Sequence, residues 1–278
     1  MKFVSFEHEG KTGIGVVDNS TIAEIAGATG LKQLIGEGSL TVAGANALET
    51  QSNRIAIDAA RLLPPIPDPD KIVCVGLNYE EHRVETRHAP TTKPTLFTRF
   101  ANSQCGHEAP LLLPECSREF DYEAELAVVI GKSGRHIARE DALAHIAGYS
   151  CYNDGSIRDW QTHTTQFLPG KNFPGTGAFG PNLVTPDEVG DAQNLAIACR
   201  LNGKVVQEAR TDQMIHSIAD QIAYISAFTE LVPGDVIVTG TPGGVGFTRN
   251  PPLFMADGDT VEVEIEKVGL LRNPVRAA

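Results

Sequence analysis

Two acidic residues spaced two apart in an apolar segment are the first feature of this chain that could do chemistry. In FDYEAELAVVIG, Glu123 and Glu125 fall at i and i+2, positions that share one face of a β-strand. The Ala-Val-Val-Ile run behind them carries that face toward a buried region. Two carboxylates held together away from water repel each other, and each is costly to desolvate without a partner. A bound cation relieves both problems, and all-oxygen ligation favours Mg²⁺, Mn²⁺ or Ca²⁺ over zinc. Asp154, in the polar cluster of GYSCYNDGSIRDWQ, is the candidate third ligand. Plainer readings exist for each: a solvated strand face for Glu-x-Glu, and a turn for Asn-Asp-Gly.

A second pair lies in the charged segment NYEEHRVETRHAP. His82 and Glu85 stand three apart, so on a helix they share a face, and the carboxylate can orient the imidazole as a proton acceptor. The alternative is a surface histidine in a charged run. Two glycine clusters complete the set. Gly175-Thr176-Gly177-Ala178-Phe179-Gly180 satisfies G-x-G-x-x-G, but prolines flank it where a dinucleotide site needs a strand before and a helix after. It reads instead as a loop beside a ligand. GTPGGVG at 240–246 follows the strand-like DVIVT and lacks the Lys-Ser/Thr of a nucleotide phosphate loop. Its exposed amides and the Thr241 hydroxyl could cradle a carboxylate, or it is a tight turn.

These residues need strands to hold them, and strands are what the pattern supplies. IVCVG (72–76), YEAELAVVIG (122–131), LAIACRLNG (195–203), DVIVTG (235–240) and TVEVEIE (260–266) are rich in Val and Ile and bounded by turn formers. Helix candidates are fewer: REDALAHIAG (139–148) and SIADQIAYISAFTEL (217–231). This imbalance disfavours a doubly wound fold and predicts a β-dominated α+β domain. Residues 1–62 read as a small N-terminal unit, with strands in KFVSF and TGIGVV and a brief helix in GLKQLIGEG. LLPPIPDPDK follows, and 63–70 is taken as the linker to a main domain at 71–278.

The bulk numbers exclude several function classes. With 35 acidic against 23 basic residues and a net charge of −12, no basic nucleic-acid surface is expected. No apolar run reaches the roughly 18 residues that span a bilayer, and no secretory signal is visible. Five scattered cysteines without Cys-x-x-Cys spacing point to reduced thiols in a cytoplasm rather than disulfides or zinc.

Taken in order, KIVCVGLNYEEH with Glu85 after it, FDYEAELAVVIGK, GYSCYNDGSIRDWQ, PGKNF, and PGDVIVTGTPGGVG with DGDTVEVEI resemble the fumarylacetoacetate hydrolase family over about residues 70 to 275. The resemblance implies a β-sandwich-like roll, usually dimeric, with a variable small N-terminal domain. It implies that Glu123, Glu125 and Asp154 are a triad for Mg²⁺ or Mn²⁺, and that His82 and Glu85 sit on a short lid helix closing over ligand. It makes Lys171 the lysine facing the substrate, Arg158 and Gln161 polar residues lining the pocket, and Gly240-Thr241 the substrate-side turn. Arg158 could instead simply pair with Asp159 or Glu123. Two departures, Thr164 and Thr165 where an aromatic is usual and the glycine-rich PGTGAFGPN, bear on the distal end of the substrate.

The resemblance implies enolate chemistry on a 2-oxo acid, and the complete His82–Glu85 pair favours, among its outcomes, hydrolysis of a carbon–carbon bond in a 2,4-dioxo acid, giving pyruvate and an acid, as in aromatic-compound catabolism. His82 backed by Glu85 would activate the water. The alternatives on the same enolate chemistry are decarboxylation of an oxaloacetate-type acid or isomerisation of a 2-oxo acid. A non-catalytic metal-stabilised binding protein and a dinucleotide oxidoreductase are the rivals of other classes.

Overall fold

The computed structural model describes residues 1–50 and 53–278. Among the described residues the largest sheet is mixed and has 12 strands. Its centre is Ala124–Ile130, paired antiparallel to Ile146–Asp154 on one side and to Val236–Val238 on the other. Ile72–Gly76 lies parallel to Val236–Val238, and Thr95–Arg99 closes that edge. A five-stranded sheet, ordered Lys204–Arg210, Ala196–Leu201, Thr260–Ile265, Gly269–Ala277 and Leu111–Leu113, packs against it.

Alternation along the central strand explains its place. Leu126 and Val128 join Ile197, Val261 and Val263 in the core between the sheets. Ala127 and Val129 point the other way, into a second core with Cys74, Tyr152 and Phe179. With both faces covered, the strand can be apolar throughout. Glu125 shares the face of Ala127 and Val129, which is why its carboxylate is buried.

The N-terminal strand Lys2–His8 pairs with Gly177–Val184, matching Phe3 to Leu183. The large sheet therefore runs without a break from the first unit into the second. Helix Ile218–Phe228 forms as the pattern predicts, capped by Ser217 and Asp220.

Two expectations are corrected. Residues 139–148 are not an α-helix: a 3₁₀ helix covers Arg139–His145, and a strand begins at Ile146. From Ile146 onward, pairing with Ala124–Ile130 draws the chain into the sheet and overrides the local helical periodicity. The 175–180 glycine match is not chiefly a loop either, since Gly177–Val184 is a strand inside the large sheet. Glycine is needed at 177 because an added Cβ would stand 2.7 Å from the Arg99 guanidinium.

Candidate active site

The hairpin of the two central strands brings the three acidic residues together. Glu123 directly precedes its strand, and its amide donates to the Asn153 side chain at 2.9 Å. The Asp154 amide in turn donates to the Glu123 carbonyl at 2.9 Å. Oxygens of Glu123, Glu125 and Asp154 then lie within 4.8 Å of one another, all buried.

Cations surround this cluster unevenly. Lys171, at the end of the short helix Leu168–Lys171, places Nζ 2.7 Å from Glu123 and 2.6 Å from Asp154. Arg158 reaches Glu123 at 2.7 Å and Asp121 at 2.8 Å, and stacks 4.4 Å from the centre of the Phe247 ring. Arg99 reaches Asp154 at 2.6 Å. Burial opposes ionisation of Glu123, but Lys171 and Arg158 hold its carboxyl well below the ordinary range. Burial likewise works against the Lys171 ammonium, and Asp154 and Glu123 outweigh it.

Glu125 is different. No described cationic side chain forms an ion pair with it, and it accepts only the Gly240 amide, at 2.5 Å. Burial, then Asp154, then Glu123 push its carboxyl well above the usual value. Asp121, Glu123, Glu125 and Asp154 face Arg99, Arg158 and Lys171, so four carboxylates against three cations leave a formal −1. A divalent ion would satisfy Glu125 and turn that −1 into +1, which suits an anionic ligand. The oxygen-only donor set and the one unpaired carboxylate fit Mg²⁺ or Mn²⁺.

His82 lies on the helix Glu80–Glu85, only 5% exposed rather than on the surface. Its Nδ1 is 2.8 Å from Glu85, whose other oxygen accepts the Gly244 amide at 3.0 Å and the Thr248 hydroxyl at 3.2 Å. Burial disfavours the Glu85 carboxylate, but these hydrogen bonds, His82's foremost, lower its pKa. A carboxylate on Nδ1–H leaves Nε2 as the basic nitrogen.

The 240–247 loop corrects another expectation. Four of its amides are committed to protein carboxylates: Gly240 to Glu125, Gly244 to Glu85, and Gly246 and Phe247 to Asp121 at 2.8 and 3.0 Å. From this turn Thr241 lines the ligand space.

That space is a cavity of about 260 Å³ lined by the polar side chains of His82, Glu123, Glu125, Arg158, Gln161, Lys171 and Thr241 and by the apolar Leu77, Phe97, Phe167 and Phe247. Gln161 accepts from Arg158 at 2.8 Å. Arg158 pairs with Glu123, as one reading allowed, but Asp159 bonds Ser117 instead. Sequence reasoning missed Arg99 and Asp121. Asp121 continues the every-second-residue acidic pattern of Glu123 and Glu125, a signal that was there to find. Arg99 carries none, being a lone arginine in FTRF.

Arg99 makes one prediction direct. It is fully buried, and bonds the Gly155 carbonyl and the Thr176 hydroxyl besides Asp154. Arg99→Met removes one of the two cations on Asp154, leaving Lys171, and orphans the Gly155 carbonyl and the Thr176 hydroxyl, so a cost of about 1.5–3 kcal/mol in urea unfolding is expected. A cost under about 1 kcal/mol would show that the pair is not structural.

A β-dominated fold with buried, charge-coupled carboxylates at a cavity marks an enzyme-like site. A family model described as fumarylacetoacetate (FAA) hydrolase C-terminal matches residues 71–276, and one described as Rv2993c-like, N-terminal, matches residues 1–65. The chain belongs to the fumarylacetoacetate hydrolase family. It is 46% identical over 242 residues to the mitochondrial oxaloacetate tautomerase FAHD2A of Homo sapiens, covering 86% of this chain and 77% of that one. Among solved structures, fumarylacetoacetate hydrolase from Exiguobacterium antarcticum superposes with a TM-score of 0.89 at 35% identity, covering 100% of both chains. Maleylpyruvate hydrolase from Sphingobium sp. SYK-6, in complex with manganese(II) and pyruvate, does so with a TM-score of 0.84 at 30% identity, again covering 100% of both. Among the described residues no helix is long and apolar enough to cross a membrane.

Proposed function

We propose that this protein interconverts the keto and enol forms of a small 2-oxo diacid of the oxaloacetate type. The observation that carries the reading is the Glu85–His82 dyad, an oriented proton acceptor lining the same cavity as the carboxylate cluster. The 46% identity to an oxaloacetate tautomerase supports the substrate class. Mg²⁺ or Mn²⁺ held by Glu123, Glu125 and Asp154 would supply positive charge that favours the enolate form of a 2-oxo acid.

The chain's own residues do the rest. His82 Nε2 takes a proton from C3 of the keto form, and the imidazolium so formed returns it to the 2-oxygen, which completes the enol and restores the base. Glu85 holds the imidazole in the productive tautomer and steadies its charge. Arg158 and the Thr241 hydroxyl grip the carboxylate. Lys171, tied to Glu123 and Asp154, stays charged and keeps those two oxygens in place instead of moving protons. Leu77, Phe97 and Phe167 keep water from the reacting carbon.

A second reading, hydrolysis of an acylpyruvate, has support from the apolar lining, which suits a longer acyl group, and from the likeness to maleylpyruvate hydrolase. The test follows the ultraviolet absorbance of enol-oxaloacetate with Mn²⁺ present, beside pyruvate release from acylpyruvates. Enol decay far above the buffer rate without pyruvate is expected. Faster pyruvate release from an acylpyruvate would give the hydrolase reading precedence. A two-fold homodimer belongs to the same proposal, and light scattering at the monomer mass across micromolar concentrations would remove it.

A further inference from the structure

We infer that Gln207, which lines no part of the cavity, is a positioning residue that fixes the Thr241 hydroxyl as a hydrogen-bond donor toward the anionic ligand. The inference rests on the proposal that the cavity binds a 2-oxo acid.

Gln207 lies on the strand Lys204–Arg210 of the smaller sheet and is 2% exposed. Its Oε1 accepts the Ala124 amide at 2.9 Å, between Glu123 and Glu125. Its Nε2 donates to the Pro242 carbonyl at 2.9 Å and to Thr241 Oγ1 at 2.8 Å. The orientation of a side-chain amide is often ambiguous. Here chemistry fixes it from both ends, because an amide N–H can only donate and a proline carbonyl can only accept.

The consequence falls on Thr241. Its oxygen already accepts from Gln207, so its single proton must be directed elsewhere, and no described residue accepts it. Thr241 is nearly buried and lines the cavity. Its proton is therefore offered to whatever occupies that space. A hydroxyl locked as a donor favours a carboxylate or enolate oxygen and disfavours a ligand that presents an N–H or O–H at that point. Replacing Gln207 by Glu would reverse this polarity: one carboxylate oxygen would still accept from Ala124, and the other would draw the Thr241 proton away from the cavity.

Oxalate binding to Mn²⁺-loaded protein, measured by calorimetry, tests this in wild type, Gln207→Glu, Thr241→Val and the double variant. Gln207→Glu and Thr241→Val should each weaken oxalate about ten- to hundred-fold, the loss of one hydrogen bond to a charged group. The double variant should be no weaker than Thr241→Val, within about two-fold. Mn²⁺ affinity, measured separately, should stay within about three-fold throughout, whereas damage to the strand around Ala124 would lower it in parallel. Gln207→Met serves if the Glu variant does not fold: whatever loss it shows must vanish in the Thr241→Val background. Wild-type-like oxalate binding by Gln207→Glu, multiplying losses, or a parallel fall in Mn²⁺ affinity each overturns the inference. If wild type itself fails to bind oxalate, the 2-oxo acid reading falls, and this inference with it.

Discussion

Glu125→Gln is expected to abolish Mg²⁺ or Mn²⁺ binding and at least about 10³-fold of the turnover, while leaving the metal-stripped protein as stable as wild type or more so. The reason is the uneven charge of the cluster. Glu123 and Asp154 have cationic partners, whereas Glu125 has one backbone amide and two repelling neighbours. A neutral amide keeps an oxygen for Gly240 and removes the unpaired buried charge, which costs nothing in packing and relieves repulsion. It also removes a ligand, and Lewis-acid stabilisation of several kcal/mol goes with it. Thermal unfolding of stripped and Mn²⁺-loaded protein reads both effects. At a hundredfold excess over its dissociation constant, Mn²⁺ should stabilise wild type by about 2.7 kcal/mol and the variant hardly at all. Full turnover after verified metal removal, or equal Mn²⁺ stabilisation of both proteins, would sink this account.

His82→Ala should cost about 10²–10⁴-fold in any reaction that uses the imidazole as base. Tautomerisation and acylpyruvate hydrolysis both do, one at carbon and one at water. Decarboxylation of oxaloacetate needs neither step, so that activity should be far less sensitive. Mn²⁺ and oxalate binding should change only a few-fold, because the triad, Arg158 and Thr241 lie on other elements. Measuring the three reactions side by side in wild type and variant, with metal content checked, separates them. If enol decay and hydrolysis both survive the substitution within a few-fold, the dyad assignment is wrong.

Much of the site was legible because its residues repeat at the period of the element that carries them. Glu123 and Glu125 follow the strand period, and His82 and Glu85 follow the helix period, so spacing alone set them side by side. The large strands announced themselves through apolar runs. Residues 139–148 misled because the helical pattern there closes only as a 3₁₀ helix before pairing with the central strand takes over at Ile146, a partner no local window contains. Gly177 misled for a related reason: it makes room for Arg99, which is 78 positions earlier in the chain but touches it in space. Arg99 and Gln207 were invisible for the same cause, since each acts through partners on other strands. The preference for hydrolysis came from the dyad alone, and a dyad that moves protons does not say whether water or carbon supplies them.

The 240–247 loop collects three carboxylates on its amides: a candidate metal ligand, the anchor of His82 and the partner of Arg158. Phe97 and Phe167, in the apolar lining, lie outside that junction and touch each other edge to face. Phe97 still meets the charged cluster, 5.0 Å from Lys171 Nζ, and Phe247 belongs to the loop itself and stacks on Arg158, so of these three rings Phe167 alone has no described cation contact. Changes at Phe167 can accumulate without touching those contacts, whereas almost any change in the loop disturbs three functions together. A lineage built on this plan can exchange one small acid for another by reshaping a few ring contacts, and it is the loop that selection must hold still.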